Sequence, residues 1–256
     1  MTGDTVGSVS SVQELRDGAA SAVAVSSSWP EIAGPVAAAL RSVAADPTGR
    51  GLPPVRSVML TAKTLRARDE PLLRPGETGM PFDEGRTIGE LAGYSVPVAH
   101  GHLLFALARH LRPRRVLEIG TNIGISAGYI ASGLDAGGHL WTLEGSPARV
   151  RVAGGVLTDL CVADRVTLVP GRFEETLEPT LEEVGGFDLV FVDGNHQDEP
   201  TRSYYRMLAG RGEAVTALVF DDIRWSEGMA RAWNWIVRRP ATRWSLDLGR
   251  LGVVLT

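Results

Sequence analysis

Two short apolar runs in this chain end in acids. Leu189–Val192 is followed by Asp193-Gly194-Asn195-His196, and Ala217–Phe220 by Asp221-Asp222-Ile223-Arg224-Trp225. Runs of this length and composition read as buried β-strands. As neighbours in one sheet they place Asp193, Asp221 and Asp222 on one rim. Three carboxylates so close repel unless a proton or a cation sits among them. Oxygen-only ligation suits Mg²⁺, with Mn²⁺ or Ca²⁺ as alternatives. The structural alternative is that one aspartate caps the next helix while another pairs with Arg202 or Arg224. Histidine titrates near neutral pH, so His196 is either a general base toward a substrate hydroxyl or a surface or capping residue. Trp225 either lines a substrate pocket or belongs to the core. His100 and His102 are two residues apart, diverge on a helix and make a poor metal pair.

Upstream, Val116-Leu117-Glu118-Ile119-Gly120-Thr121-Asn122-Ile123-Gly124 reads as a strand, a tight turn and the start of a helix. Glycine lets backbone approach a ligand closely, and the helix start offers unpaired N–H groups. The dinucleotide fingerprint needs a glycine where Glu118 stands. An acid there repels a pyrophosphate but suits a cationic ligand without phosphate, such as S-adenosylmethionine (SAM). Glu118, Gly120, Thr121, Gly124 and Ser126 are the candidate cofactor residues of this turn. The next strand ends in Glu144, about 20 residues on, where an acid can accept the two hydroxyls of a ribose. Its alternative role is to cap the following helix, which Ser146 can do instead. The third strand ends Pro170-Gly171-Arg172-Phe173-Glu174. Phe173 either stacks on an adenine or anchors the core, and Glu174 either receives the adenine amine or is a first-turn helix acid. Gly171, Arg172, Phe173 and Asp193 complete the cofactor set.

These residues need a sheet to position them. Strand candidates Val116–Ile119, Leu140–Leu143, Val166–Val169, Leu189–Val192 and Ala217–Phe220 alternate with helix candidates Ile125–Leu134, Pro147–Leu160, Phe173–Glu183 and Glu199–Ala209, which implies a parallel sheet with helices on both faces. A helix over Ser226–Arg238 precedes two apolar runs, Trp244–Leu248 and Leu251–Leu255, at hairpin spacing. Residues 1–28 read as a flexible arm or a weak helix. Helices are expected over Glu31–Ala45, over Val55–Arg68 with Val58, Leu60 and Leu65 inward, over Thr87–Gly93 and over Pro97–Leu111. Asp69–Gly85, rich in Pro and Gly, reads as a loop.

The 256 residues suffice for one substantial domain with an appendage, and 44% hydrophobic with 22% charged residues is ordinary for a globular chain. A net charge of −4 gives no electrostatic motive for nucleic acid. Arg112, Arg114 and Arg115, and the pair Arg238–Arg239, fall at element ends and read as solvated caps. A single cysteine, Cys161, rules out an internal disulfide and makes a cytoplasmic site the default expectation. No leader is expected at the N-terminus, and no apolar run approaches a membrane span.

From Arg115 to Thr256 the chain resembles the class I SAM-dependent methyltransferases. It is more particularly similar to the metal-dependent small-molecule O-methyltransferases of the catechol, caffeoyl-CoA and macrolide or aminocoumarin sugar type. The segments that carry the likeness are VLEIGTNIGISAGYIA, TLEGSPARVRVA, LVPGRFEETL, FDLVFVDGNHQDEP and VFDDIRWSEGM. The resemblance implies a Rossmann-like, doubly wound α/β sheet of seven strands with the last antiparallel. It places SAM at Glu118, Gly120 and Gly124 with Glu144 at the ribose, and matches Asp193, Asp221 and Asp222 to metal positions. Catechol-type members carry a lysine base where His196 stands, and sugar-modifying members an acid where Asn195 stands. Residues 1–95 match no pattern of the family; in such enzymes this region covers the site or forms dimer contacts, and residues 96–256 are the SAM-binding domain. The expected activity is metal-assisted methylation of a hydroxyl on a small-molecule acceptor, by a homodimer. The rivals are N-methylation or another SAM-derived alkyl transfer or cyclisation without metal, a non-catalytic SAM- or nucleoside-binding subunit and, more weakly, an NAD-linked dehydrogenase.

Overall fold

A computed structural model of the protein describes residues 5–209 and 216–256. Seven strands form one sheet: β1 (Arg115–Ile119), β2 (His139–Glu144), β3 (Val166–Pro170), β4 (Leu189–Val192), β5 (Ala217–Phe220), β6 (Trp244–Asp247) and β7 (Gly252–Leu255). Their order is β3-β2-β1-β4-β5-β7-β6. The first five run parallel, and β7 is antiparallel to both β5 and β6. The chain winds outward from β1 in one direction and then in the other, so the switch point lies between β1 and β4, where open α/β sheets hold ligands.

The helices are α1 (Thr5–Val25), α2 (Gly34–Ala45), α3 (Pro53–Arg66), α4 (Ile88–Gly93), α5 (Val98–Leu111), α6 (Ile125–Gly133), α7 (Pro147–Asp159), α8 (Phe173–Val184), α9 (Asp198–Leu208) and α10 (Glu227–Ile236). Strand side chains alternate between faces. Val116, Leu140, Leu189, Phe191 and Val219 therefore enter one core, shared with α1 to α6. Leu117, Ile119, Leu143, Val190, Leu218 and Phe220 enter another, shared with α8, α9 and α10. Burial on both faces explains why these strands read as unbroken apolar runs. Glu118 shares its face with Val116, toward α5 and α6.

The structure decides three expectations about the N-terminal region and the hairpin. Of the two readings of the N-terminal stretch, flexible arm or weak helix, the structure has a helix, 21 residues from residue 5 onward, residues 1–4 lying outside the described part. It is held by Leu15, Ala19 and Ala22, one buried stripe spaced by about a turn, packed with α2 and α5. In α3 the inward residues are Val55, Val58, Ala62 and Leu65, as expected for Val58 and Leu65, whereas Leu60 is exposed because it lies two positions past Val58, on the other side of the helix. The β6–β7 turn is four residues long, Leu248–Leu251, with Gly249 at φ +85° and its N–H bound to Asp247 Oδ1. The short helix α4 forms as its sequence indicates. Thr87 caps it by accepting from the Glu90 N–H, and Glu90 accepts from the Thr87 N–H.

Candidate active site

The β1–α6 turn is held by its own polar groups. The N–H groups of Gly120 and Thr121 both donate to the Leu143 carbonyl. Thr121, fully buried, shares a hydroxyl hydrogen bond with Thr142, which donates in turn to Glu118 Oε2. The Gly120 requirement comes from the protein as much as from any ligand. Its φ is +107°, and a Cβ there would stand 2.3 Å from the Asp193 carbonyl oxygen. Gly124, at φ +88°, lies close to Ala153, where an added Cβ would come within 3.2 Å. These glycines let the loop after β4 and helix α7 close on the turn.

Glu118 is wholly buried, and burial pushes its carboxyl up to about 7 against the hydrogen bonds from Thr142 and Ser126. Its Oε1 has no hydrogen-bond partner, and neither does Asn122 Oδ1 in the turn that follows. Two orphaned acceptors on one turn call for a ligand that brings donors. At the end of β2, Glu144 accepts the Asn122 N–H on one oxygen (2.8 Å) and the Ser146 N–H on the other (2.9 Å). A carboxylate offers about four acceptor positions, so half of its capacity is left for ribose hydroxyls. Burial raises its pKa. Ser146 caps α7 by accepting from the Arg149 N–H, so Glu144 is not spent as the cap. This donor and acceptor set fits an amine-bearing nucleoside such as SAM.

At the end of β3, Gly171 takes φ +137° and its N–H donates to the Glu144 carbonyl. Arg172 and Glu174 are exposed and pair loosely with each other (3.7 Å). The Phe173 ring lies 2.6 Å from where a Cβ on Gly194 would be and meets the Tyr204 ring edge-on at 6.3 Å. Phe173 thus packs against the opposite wall of the switch point and the second core.

Over this corner runs the Asp69–Gly85 loop, clasped by two arginines of α7. Fully buried Asp83 accepts from Arg149 (2.7 Å) and from the Met80 N–H. Arg151 donates to Glu77 and to the Leu72 carbonyl. The Phe82 ring has the Arg86 and Arg149 guanidinium carbons at 4.8 and 5.1 Å, and Met80 reaches Gly145. The Asn122 side chain donates to the Leu91 carbonyl of α4, tying the region before α5 to the cofactor turn.

The pairing of β4 with β5 brings Asp193, Asp221 and Asp222 to one rim, as expected. They do not converge on a common point. Asp221, fully buried, receives a bidentate grip from Arg250: Nε to Oδ1 at 2.7 Å and Nη2 to Oδ2 at 2.6 Å. Arg250 Nε also stands 3.2 Å from Asp222 Oδ1, and the Asp222 N–H donates to Asp221 Oδ1. Among the described residues no group of three or more His, Cys, Asp or Glu is arranged to hold a metal ion. The metal assignment to Asp193, Asp221 and Asp222 does not fit this arrangement, because the Arg250 guanidinium already spans Asp221 and stands against Asp222. Arg202 and Arg224, the alternatives weighed from sequence, pair with Asp198 and Asp247.

Arg250, which lies between the two apolar runs of the expected hairpin, was not among the expected site residues. A signal existed: β7 runs antiparallel to β5, so its start must lie beside the end of β5, and Gly252 does pair with Phe220. Burial and the neighbouring Asp221 charge raise the pKa of Asp193 and, less strongly, of Asp222. Although burial works against it, Arg250 is held above the ordinary arginine range by Asp221 and the other two acids.

His196 sits between two of these carboxylates, Nε2 at 3.5 Å from Asp193 Oδ1 and Nδ1 at 4.0 Å from Asp222 Oδ2, and is 32% exposed. Asn195, His196 and Asp222 all have positive φ (67°, 27° and 53°). Such backbone is uncommon outside glycine, and its clustering at the rim is typical of functional sites. Trp225 is 73% exposed at the same rim and is no part of the core. His100, set aside from the sequence, is buried on α5 within the field of Asp221 and Arg250, and burial lowers its pKa to about 4. A separate cleft of about 340 Å³, lined by Pro53, Ser57, Leu160, Cys161 and Arg165, lies at the amino end of β3, away from the ligand-binding edge of the sheet.

The sheet order with its antiparallel seventh strand, together with an acid-bearing turn after β1, defines the class I methyltransferase architecture. Residues 117–223 match the model of a methyltransferase domain. The chain is 38% identical to a catechol O-methyltransferase of Mycobacterium tuberculosis over 134 residues, 52% of this chain and 59% of that protein. Its fold is similar to the O-methyltransferase TomG of Streptomyces achromogenes in complex with SAM, at 29% identity and TM-score 0.54, covering 63% of this chain and 80% of that one. An O-methyltransferase from Bacillus cereus in complex with SAH shares the fold at TM-score 0.60 and 20% identity, covering 83% and 97% of the two chains. Residues 117–223 thus match a methyltransferase domain, and the chain is similar to O-methyltransferases. It spans about half to three-fifths of the length of the curated relatives it matches.

Proposed function

We propose that the protein transfers the methyl group of SAM to an oxygen of a small-molecule acceptor. The observation that carries this reading is the pair of orphaned acceptors, Glu118 Oε1 and Asn122 Oδ1, beside the half-used carboxylate of Glu144. When bound, SAM supplies an electrophilic methyl on a cationic sulfur. Glu118 and Asn122 receive its amine, and Glu144 its ribose. Gly120, Gly124 and Gly171 shape the turns around it, while Thr121 and Ser126 hold Glu118 in place. Arg172 borders the outer edge, and Phe173 braces the wall behind Asp193.

His196 takes the acceptor's proton from its place between Asp193 and Asp222. Catalysis is then mainly positioning of the oxygen in line with the methyl. Metal assistance through Asp193, Asp221 and Asp222 is not part of this reading, because Arg250 stands among them. The clasped loop and α4, in the region before residue 96, form a cover over the cofactor corner, and residues 96–256 carry the cofactor. A homodimer is the expected assembly; elution as a monomer on gel filtration would remove it.

Calorimetric titration with SAM, with NAD as control, tests the reading. SAM should bind and NAD should not. Glu144→Ala should weaken SAM by about 1–3 kcal/mol through lost charge-assisted hydrogen bonds. His196→Gln should lower turnover on a phenolic acceptor with SAM affinity unchanged. Absence of SAM binding would refute the proposal.

A further inference from the structure

We propose that Arg250 is the resident cation of the acid rim, so that catalysis at this site runs without a divalent metal. The inference rests on the methyl-transfer reading of the same site and concerns how its three aspartates are neutralised. A divalent ion such as Mg²⁺ has to approach carboxylate oxygens to about 2.0–2.1 Å. Both oxygens of Asp221 are instead spanned by one planar guanidinium, the bidentate geometry in which arginine binds carboxylate best. The remaining demand on Asp221 Oδ1 is met by the Asp222 N–H, and Asp222 Oδ1 leans on the same Arg250 Nε.

Nor is Arg250 a side chain that swung in by chance. Its carbonyl accepts the Ile223 N–H at 3.0 Å, and two residues on, Gly252 is in register with Phe220. The main chain therefore delivers the guanidinium to the end of β5 whenever the sheet is complete. One consequence concerns substrate. A metal chelates two adjacent oxygens, whereas this guanidinium is already committed to Asp221. A single hydroxyl activated by His196 is then sufficient, and phenols with one hydroxyl should serve as well as catechols.

The test is titration of the full-length protein with Mn²⁺ in the presence of SAH, reading free Mn²⁺ by electron paramagnetic resonance and SAH binding by calorimetry. The wild type should bind SAH and show no saturable uptake of Mn²⁺. Arg250→Met, which uncovers the acids, should gain saturable uptake, and Arg250→Lys, which keeps the charge, should not. One-site uptake of Mn²⁺ by the wild type that is lost in Asp222→Asn would overturn the proposal. If Arg250→Met fails to fold, the wild-type and Asp222→Asn arms decide alone. Failure of the wild type to bind SAH would instead fault the methyl-transfer reading itself.

Discussion

Glu118 is a carboxyl kept in a wholly buried place, and its raised pKa of about 7 makes it sensitive to pH in two opposite ways. Unfolded, a glutamate titrates near 4.5; folded, Glu118 holds its proton to higher pH. The native state therefore binds the extra proton, and that contribution to stability is complete below the unfolded pKa and lost as pH rises through 7. The shift corresponds to an upper bound of about 3 kcal/mol. In the absence of ligand the melting temperature should fall between pH 5 and pH 8, and Glu118→Gln should flatten that slope; an unaltered slope in the variant would place the titration elsewhere. SAM binding should run the other way, because its amine favours the ionised carboxylate. Affinity should be about tenfold weaker at pH 6 than at pH 8, as follows from a pKa near 7.

At the scale of elements, the clasp between α7 and the Asp69–Gly85 loop is the feature most exposed to a single change. Removing Arg149 leaves the fully buried Asp83 carboxylate without its charged partner. Breaking such a pair costs about 3 kcal/mol. In Arg149→Ala, amide exchange should accelerate through Asp69–Gly85 and stay slow in β1 and β4; equal protection in both proteins would show that the loop is held by its other contacts. This loop also marks the boundary of what the sequence disclosed. Strands β1, β4 and β5 and the acids at their ends were legible because both faces of those strands are buried and the runs are unbroken. Thr87 with Glu90 announced α4 by local chemistry alone. Arg149 gripping Asp83 and Arg250 gripping Asp221 are separated by 66 and 29 residues, and no local pattern announces a partner at such a distance. The α1 stripe was illegible for a different reason: its alanines look like those of a flexible arm until α2 and α5 supply the surface they pack on.

Across the whole molecule, no helix among the described residues is long and apolar enough to cross a membrane. The ten consecutive buried residues Ala99–Ala108 make α5 the inner helix, roofed by α1 and α2 and backed by α6. The seventh strand sets an order of assembly. β6 precedes β7 along the chain yet lies outside it in the sheet, so the β6–β7 hairpin joins the parallel core only where β7 docks on β5. The parallel core can therefore be in place while the C-terminal hairpin is still searching, and Arg250 reaches Asp221 only when that search ends. Interactions made after the rate-limiting barrier carry φ-values near zero. Stopped-flow chevrons should accordingly show Arg250→Lys unfolding faster with its refolding rate nearly unchanged, whereas a substitution in β1 such as Leu117→Ala slows refolding. The last strand to arrive then acts as a kinetic latch, and the lifetime of the native state is governed by the same guanidinium that quiets the acid rim.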